Sequence, residues 1–330
     1  MSTPTTTPII IEAQNDIIRT YLEPELDGLL EAHDKARIDW FPSDLLPASQ
    51  QMSATEVEQI AEIKQQSTLL PDAARIALVL NLITEEGLPS YHRLLHQAFG
   101  DKSSWNIWRN QWTAEEDRHG NILRDYMRDC RIVDMKQVEK LQFTFLSNGW
   151  MPEWAGDPYS TIAYTSFQER ATQVSHRNLG KYVQKLTPGL SRILGHIAGD
   201  ESRHYNFYTS LLKKLLQVDV EKTLQAIHTT LKTFKMPGHD IPGFSDMSIT
   251  QHAVDIFGPK EFGEVINDVL KFIKLEELTN LSDYCEELRQ KILAYPPRLL
   301  QFHNKLINKV KEKVSDFSFD AIYHRKIVLA

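Results

Sequence analysis

Two stretches decide the fold: Trp112-Thr-Ala-Glu-Glu-Asp-Arg-His-Gly120 and Asp200-Glu-Ser-Arg-His204. Each contains a Glu-x-x-His pair, Glu116 with His119 and Glu201 with His204. Residues three apart share one face of a helix, so each pair aims a carboxylate and an imidazole the same way. Alone, such a pair is usually a surface feature. Two further glutamates change its weight: Glu85 lies 31 residues before Glu116, and Glu169 lies 32 before Glu201. The chain thus repeats a helix bearing Glu, a turn, and a helix bearing Glu-x-x-His.

Gly100-Asp101 falls midway between Glu85 and Glu116, and the stretch from Leu186 to Gly189 falls midway between Glu169 and Glu201. In antiparallel hairpins both glutamates of a pair then lie at equal depth, ~23 Å from the turn at ~1.5 Å per residue. Two such hairpins place four carboxylates and two imidazoles at one level of a four-helix bundle, the known ligand arrangement of ferritin-like dinuclear carboxylate proteins. Four buried carboxylates without cations repel one another and lose their hydration. Two divalent irons offset that charge, and an oxygen-rich set with one nitrogen per metal suits iron or manganese better than zinc or copper. The alternative is a set of surface charges that happen to share these spacings.

The rest of the sequence agrees with an all-α chain. Its 330 residues are 42% hydrophobic and 25% charged, a globular balance, and a net charge of −7 argues against sequence-independent nucleic-acid binding. The two cysteines, Cys130 and Cys285, form no Cys-x-x-Cys pair, which excludes a thiolate metal knuckle and suits a reducing compartment; a cytoplasmic location is expected. No apolar run approaches the roughly 20 residues of a membrane span. Met1–Pro8, lacking the basic region of a signal peptide, reads as a frayed tail.

Gly and Pro fall between segments of helical period. Helices are expected over 55–66, from Pro71 to near Gly100, from Ser103 or Ser104 to about Asp129, and from Asp134 to Asn148-Gly149. Two more run from Asp157-Pro158 to about Leu186 and from Pro188 to about Val218. Pro89 removes a hydrogen bond to the Glu85 carbonyl, so the second of these either kinks at the ligand or stops at Leu88. The expected organisation is one domain over 1–330, with a core bundle over about 55–218 and looser helices over about 244–330. Lys291–Ala330 carries eight basic and three acidic residues, a solvated face or a docking surface for an acidic partner.

At these residues the chain resembles the soluble acyl-acyl carrier protein desaturases. Besides the two opening stretches, the resemblance rests on Trp40-Phe-Pro-Ser-Asp-Leu-Leu-Pro47, Thr84-Glu-Glu-Gly-Leu-Pro-Ser-Tyr91 and Tyr164-Thr-Ser-Phe-Gln-Glu-Arg-Ala-Thr172, with Ser175-His176 close behind. It runs from about Trp40 to Pro242. It implies that Glu85, Glu116, His119, Glu169, Glu201 and His204 hold two iron ions. It also implies that Thr172 faces the oxygen-binding side, and that Asp200 and Trp40 form a relay to a ligand histidine. By spacing alone, Thr172 is equally a helix-bonded hydroxyl and Trp40 a packing residue. Ile162, two turns before Glu169, is either a slot-lining or a core residue. Asp117 stands where the family usually has Asn, and Ser202 and Tyr205 where plastid forms have Lys and Glu; none of these is a ligand position.

The resemblance implies oxygen-dependent desaturation of a saturated acyl chain carried as a thioester on acyl carrier protein, with electrons from a ferredoxin and its NADPH-dependent reductase. It also implies a homodimer. The basic carboxy-terminal segment, with Lys305, Lys309, Lys311 and Lys313, is then a docking face for an acidic carrier. Two rivals share the ligand pattern: a ferritin-like ferroxidase, and a ribonucleotide reductase radical subunit, which needs a tyrosine such as Tyr205, Tyr164 or Tyr126 near the metals.

Overall fold

Polar caps and prolines set where the helices begin. The computed structural model describes residues 18–46, 54–101 and 104–329; the expected tail Met1–Pro8 and the candidate cap Ser103 lie outside the described residues. Helix α1 (Glu23–Ala36) follows one π turn at Ile18–Leu22, and a single turn, Pro42–Leu45, leads towards α2 (Ala54–Ser67). Then come α3 (Asp72–Glu85), α4 (Leu88–Phe99), α5 (Ser104–Cys130) and α6 (Met135–Asn148). Asp134 caps α6 by accepting from the amides of Lys136 and Gln137, and Gly149 ends it with φ 68°. Asp157 caps α7 (Pro158–Val183) through the Ser160 amide, and Pro188 opens α8 (Pro188–Val218).

The expected helix from Pro71 to Gly100 is interrupted at Glu86-Gly87 and resumes at Leu88. Both residues of the break keep near-helical dihedrals, φ −68° with ψ −8° at Glu86 and φ −68° with ψ 0° at Gly87, and Pro89 sits in the first turn of α4, where a missing amide hydrogen goes unneeded. The Thr84 carbonyl left over at the break accepts from the Gly87 amide at 3.0 Å and from the Tyr91 hydroxyl at 2.7 Å. Gly87 is required there, because a Cβ would lie 2.3 Å from the Tyr91 hydroxyl oxygen.

Helices α3, α5, α7 and α8 form the bundle: α3 packs on α5 and α7, α5 on α8, and α8 pairs with α7 along most of its length. Its apolar interior is divided in two. One lobe gathers Trp105, Trp108 and Trp112 of α5 with Tyr205, Phe207 and Leu211 of α8. The other gathers Leu78 and Leu82 of α3, Ile122 and Tyr126 of α5, and Ile193 and Ile197 of α8. Between them, residues 115–119 of α5 and 200–204 of α8 form a polar layer sealed from above and below.

The carboxy-terminal helices are not the loose appendage expected from sequence. Helices α9 (Val220–Thr233) and α11 (Pro259–Phe272) lie on α7, and α10 (Phe244–Ala253) lies on α3. The last pair, α12 (Asp283–Leu293) and α13 (Tyr295–Val314), packs on α9 and on α10 and α11 respectively. Val265, Ile266, Val269 and Ile292 are buried in the same lobe as Trp108. Their periodicity is regular, and the low mean hydropathy of this region reflects only its outward faces. A short ribbon pairs Ser318–Phe319 with Arg325–Lys326. No single described helix is long and apolar enough to cross a membrane; α2 and α3 pass that test only together, across a 113° bend.

Buried Arg75 anchors the first ligand-bearing helix. It donates to the carbonyls of Ile132 (2.6 Å), Leu70 (3.1 Å) and Ser67 (3.2 Å), stitching the α2–α3 and α5–α6 connections together. Replacing Arg75 with Met strands these acceptors, and chemical denaturation is expected to show a loss of roughly 2–4 kcal/mol.

Candidate metal centre

The break at Glu86 leaves Glu85 as the last residue of α3, turned into the polar layer, while Glu169 enters from the middle of α7. The structure brings all six predicted ligands together in two overlapping groups: Glu85, Glu116, His119 and Glu201, then Glu116, Glu169, Glu201 and His204. Within each group one atom per residue lies within 4.8 Å of the others, and all are buried. Glu116 and Glu201 belong to both groups, the position a carboxylate takes when it bridges two ions.

Both histidines face the centre with Nδ1. That atom of His119 lies 3.3 Å from Glu116 and 3.4 Å from Glu201; in His204 it lies 2.9 Å from Glu116 and 3.6 Å from Glu169. These approaches lack hydrogen-bond geometry. Nδ1 of both imidazoles, with one oxygen each of Glu116, Glu169 and Glu201, are buried atoms without a hydrogen-bond partner. Buried polar atoms are almost always paired, so five orphans converging on one point mark a place built for cations. Two hard divalent ions fit this donor set of four carboxylates and two neutral imidazoles.

Four of the six groups have a raised proton affinity. Burial alone pushes the imidazoles of His119 and His204 down, but the carboxylates around them hold both well above the ordinary value. Burial and the neighbouring Glu201 charge raise Glu116, and burial with Glu201 and Glu116 raises Glu169 well above a normal carboxyl. Burial also pushes Glu85 upward, yet the imidazoles of His119 and His176 pull it below its usual range.

A crossed pair of acids orients the imidazoles. Asp200, on α8, accepts at Oδ2 from His119 Nε2 (3.1 Å) on α5, and also from Trp40 Nε1 (2.9 Å) and Arg118 (3.1 Å). Trp40 is buried, with its ring stacked over His119 at 6.2 Å. In the opposite sense Glu115, on α5, meets His204 Nε2 (2.9 Å) on α8 and His33 Nε2 (2.9 Å) on α1. Sequence reasoning missed Glu115, although it precedes Glu116 as Asp200 precedes Glu201. It also missed the roles of His176, which meets Glu85 Oε1 at 2.8 Å, and of Trp112, whose indole donates to Glu169 at 3.2 Å.

Thr172 is bonded to its own helix and also lines a cavity. Its hydroxyl bonds the Gln168 carbonyl at 3.0 Å, and it lines an apolar cavity of about 80 Å³ with Glu85, Leu80, Met236 and Phe257. A narrower cavity beside Trp112 is lined by Thr165, Gln168, Tyr164 and Pro237. Ile162 is fully buried in the aromatic lobe and lines none of the cavities described; the wall is formed one turn nearer the ligand, at Thr165 and Gln168. The tyrosines named for a radical role point elsewhere. Tyr205 donates to the Asp268 carbonyl and Tyr164 to that of Lys235, while Tyr126 sits in the aliphatic lobe.

Cobalt titration tests the crossed acids and the protons together. Glu115→Gln and Asp200→Asn are each expected to weaken cobalt binding about 10- to 100-fold. Metal-free, the folded chain keeps protons on Glu116 and Glu169 above 4.5 and on the imidazoles above 6.5, the ordinary values. The unfolded chain has released them, so metal-free stability falls as pH rises through that range, whereas cobalt affinity, which requires their loss, rises.

Comparison with known proteins agrees with this geometry. The family description "Fatty acid desaturase" matches residues 13–323. The chloroplastic stearoyl-[acyl-carrier-protein] 9-desaturase of Olea europaea is 34% identical over 91% of this chain and 80% of its own length. The palmitoyl-[acyl-carrier-protein] 4-desaturase 3 of Ophrys sphegodes is 31% identical over 88% and 76%. Among solved structures, the Mycobacterium tuberculosis protein DesA2, described as an acyl-ACP desaturase, superposes with a TM-score of 0.61 at 23% identity, covering 84% of this chain and 99% of its own. Ligand geometry, fold and sequence therefore agree: this chain belongs to the fatty acid desaturase family and is an oxidoreductase with a ferritin-like helical bundle.

Proposed function

We propose that the protein desaturates a saturated acyl chain carried as a thioester on acyl carrier protein, using two iron ions held by Glu85, Glu116, His119, Glu169, Glu201 and His204. The observation that carries this reading is the convergence of unpartnered buried donor atoms beside an apolar cavity that includes both Glu85 and Thr172. Bound iron supplies the oxygen-derived oxidant needed to break an unactivated C–H bond, which no side chain provides.

The protein's own part is placement and exclusion of water. Leu80, Met236, Phe244 and Phe257 give one apolar cavity, and Leu94, Leu95, Trp150 and Pro237 the other. Met236 and Pro237 are adjacent, so one stretch of chain contributes to both walls. A bent acyl chain threading the two cavities passes Gln168 and Thr172, with its methylenes held next to the ligand layer. Gln168 Nε2 donates to the Thr172 hydroxyl at 3.0 Å, which fixes that oxygen at the cavity wall while the hydroxyl itself donates to the Gln168 backbone carbonyl. Trp40, Asp200 and His119 form a continuous hydrogen-bonded line from the indole to the cluster, suited to holding the imidazole in one orientation while charge at the centre changes.

Electrons would come from a ferredoxin reduced by an NADPH-dependent reductase, in the cytoplasm, with the protein acting as a homodimer. Acidic partners would meet α13, where Lys305, Lys309, Lys311 and Lys313 are exposed or partly exposed near Leu300 and Phe302, both about half exposed. Neutralising these four lysines is expected to weaken carrier binding and flatten its salt dependence; unchanged binding in both respects would remove α13 as the docking face.

Single turnover tests the reaction. Iron-loaded, reduced protein given oxygen and stearoyl carrier thioester should yield an alkene on lipid analysis. Mineralised iron without alkene would favour the ferroxidase, and a persistent tyrosyl radical without alkene the reductase subunit. Glu116→Gln and His204→Ala should lose iron, whereas Thr172→Ala should keep it and release less alkene per oxygen consumed.

A further inference from the structure

A third cavity, of about 490 Å³, reaches the ligand layer through the break between α3 and α4. At its inner end are Glu85 and Glu116, both buried; at its outer end are Asp117 and Asn121, both exposed. Glu86 and His92 line the passage between them, and among the described residues no lysine or arginine lines it. Glu116 also carries an unpartnered buried oxygen. Among the described residues Glu85 is the only carboxylate lining the cavity beside Thr172, whose other polar groups include the neutral amides and hydroxyl of Asn81, Gln251 and Ser175, and the cavity beside Trp112 has no carboxylate. This passage instead carries four carboxylates, Glu85, Glu86, Glu116 and Asp117, set among Leu88, Pro89 and Leu146.

Glu86 is held by polar partners that an ion could replace. Its carboxylate pairs with the partly exposed Arg124 and accepts from Gln142 Nε2 at 2.8 Å. It lies over Gly120, where a Cβ would stand 3.4 Å from Oε1, so α5 leaves room for it one turn beyond Glu116. The next residue along the chain after Glu85, it caps α3, its amide still donating to the Leu82 carbonyl at 3.0 Å.

We propose that this passage is the route by which divalent cations load the centre. Asp117 draws the hydrated ion to the mouth; Glu86 exchanges its Arg124 partner for the ion and passes it to Glu85 and Glu116. The idea rests on the metal-site reading above. It follows from charge: a narrow acidic cleft with low-dielectric walls focuses its field and raises the arrival rate of opposite charge.

Stopped-flow mixing of the metal-free, full-length protein with Co²⁺, followed by the ligand-field absorption of bound cobalt, tests it. Asp117→Asn and Glu86→Gln should each slow uptake by roughly threefold or more, within the range of electrostatic steering, and weaken its dependence on ionic strength. Both should still bind two ions at equilibrium. Asp316→Asn, exposed on the far carboxy-terminal segment, should load at the wild-type rate. Wild-type uptake rates and salt dependence in Asp117→Asn would overturn the route, as would loss of bound cobalt in Glu86→Gln overturn its transit role. Failure of the wild-type protein itself to bind two cobalt ions would instead overturn the site.

Discussion

Mutual repulsion among four buried carboxylates is the constraint that organises this molecule. Within a few ångströms of one another, and away from water, they cannot all remain charged without positive charge among them. Against the effect of burial, the surrounding carboxylates raise the proton affinity of both imidazoles; burial and neighbouring charge raise that of Glu116 and Glu169, and the donor geometry is one that two cations satisfy. Everything that holds the layer in place follows from that tension. Two apolar lobes clamp it from either side, Arg75 fixes the start of α3, and the helix break leaves Glu85 turned inward.

Apolar lobes and charged layer serve opposite ends. The lobes contribute most of the burial that stabilises the fold, whereas the layer destabilises it unless occupied. Activity in a bundle of this kind requires both: a dry, shaped cavity for hydrocarbon and a charged centre close enough to act on it. Thr172 and Glu85 show how short the distance between them is, since both line the same apolar cavity while Glu85 also belongs to the layer.

Much of the site could be read from the sequence because its signals are local. Glu-x-x-His places two donors on one helical face whatever surrounds it, and equal distances from two turns fix the depth of Glu85 and Glu169. What escaped reading depended on residues far apart in the chain. His33 and Glu115 are 82 residues apart, and Glu85 and His176 are 91 apart; no spacing rule joins them. Glu115 left one visible trace, an acid directly before each ligand glutamate, which matters only once the helices are known to face each other. The fold was legible in the same way. Caps at Asp134 and Asp157 and prolines at 158 and 188 marked helix starts correctly, while the break at Glu86-Gly87 depended on Tyr91 filling the space beside Gly87. The packing of α9 to α13 was hidden because charged outward faces alternate with their regularly spaced inward residues.

The crossed grip of Asp200 on His119 and Glu115 on His204 ties α5 and α8 to a single relative register. Sliding either rod by one turn, about 5.4 Å, would unfasten both imidazoles at once rather than one of them. Neither half of the repeat can therefore mature alone: each hairpin waits for the other to hand it a correctly aimed nitrogen, so assembly of the centre is an all-or-none event along this seam.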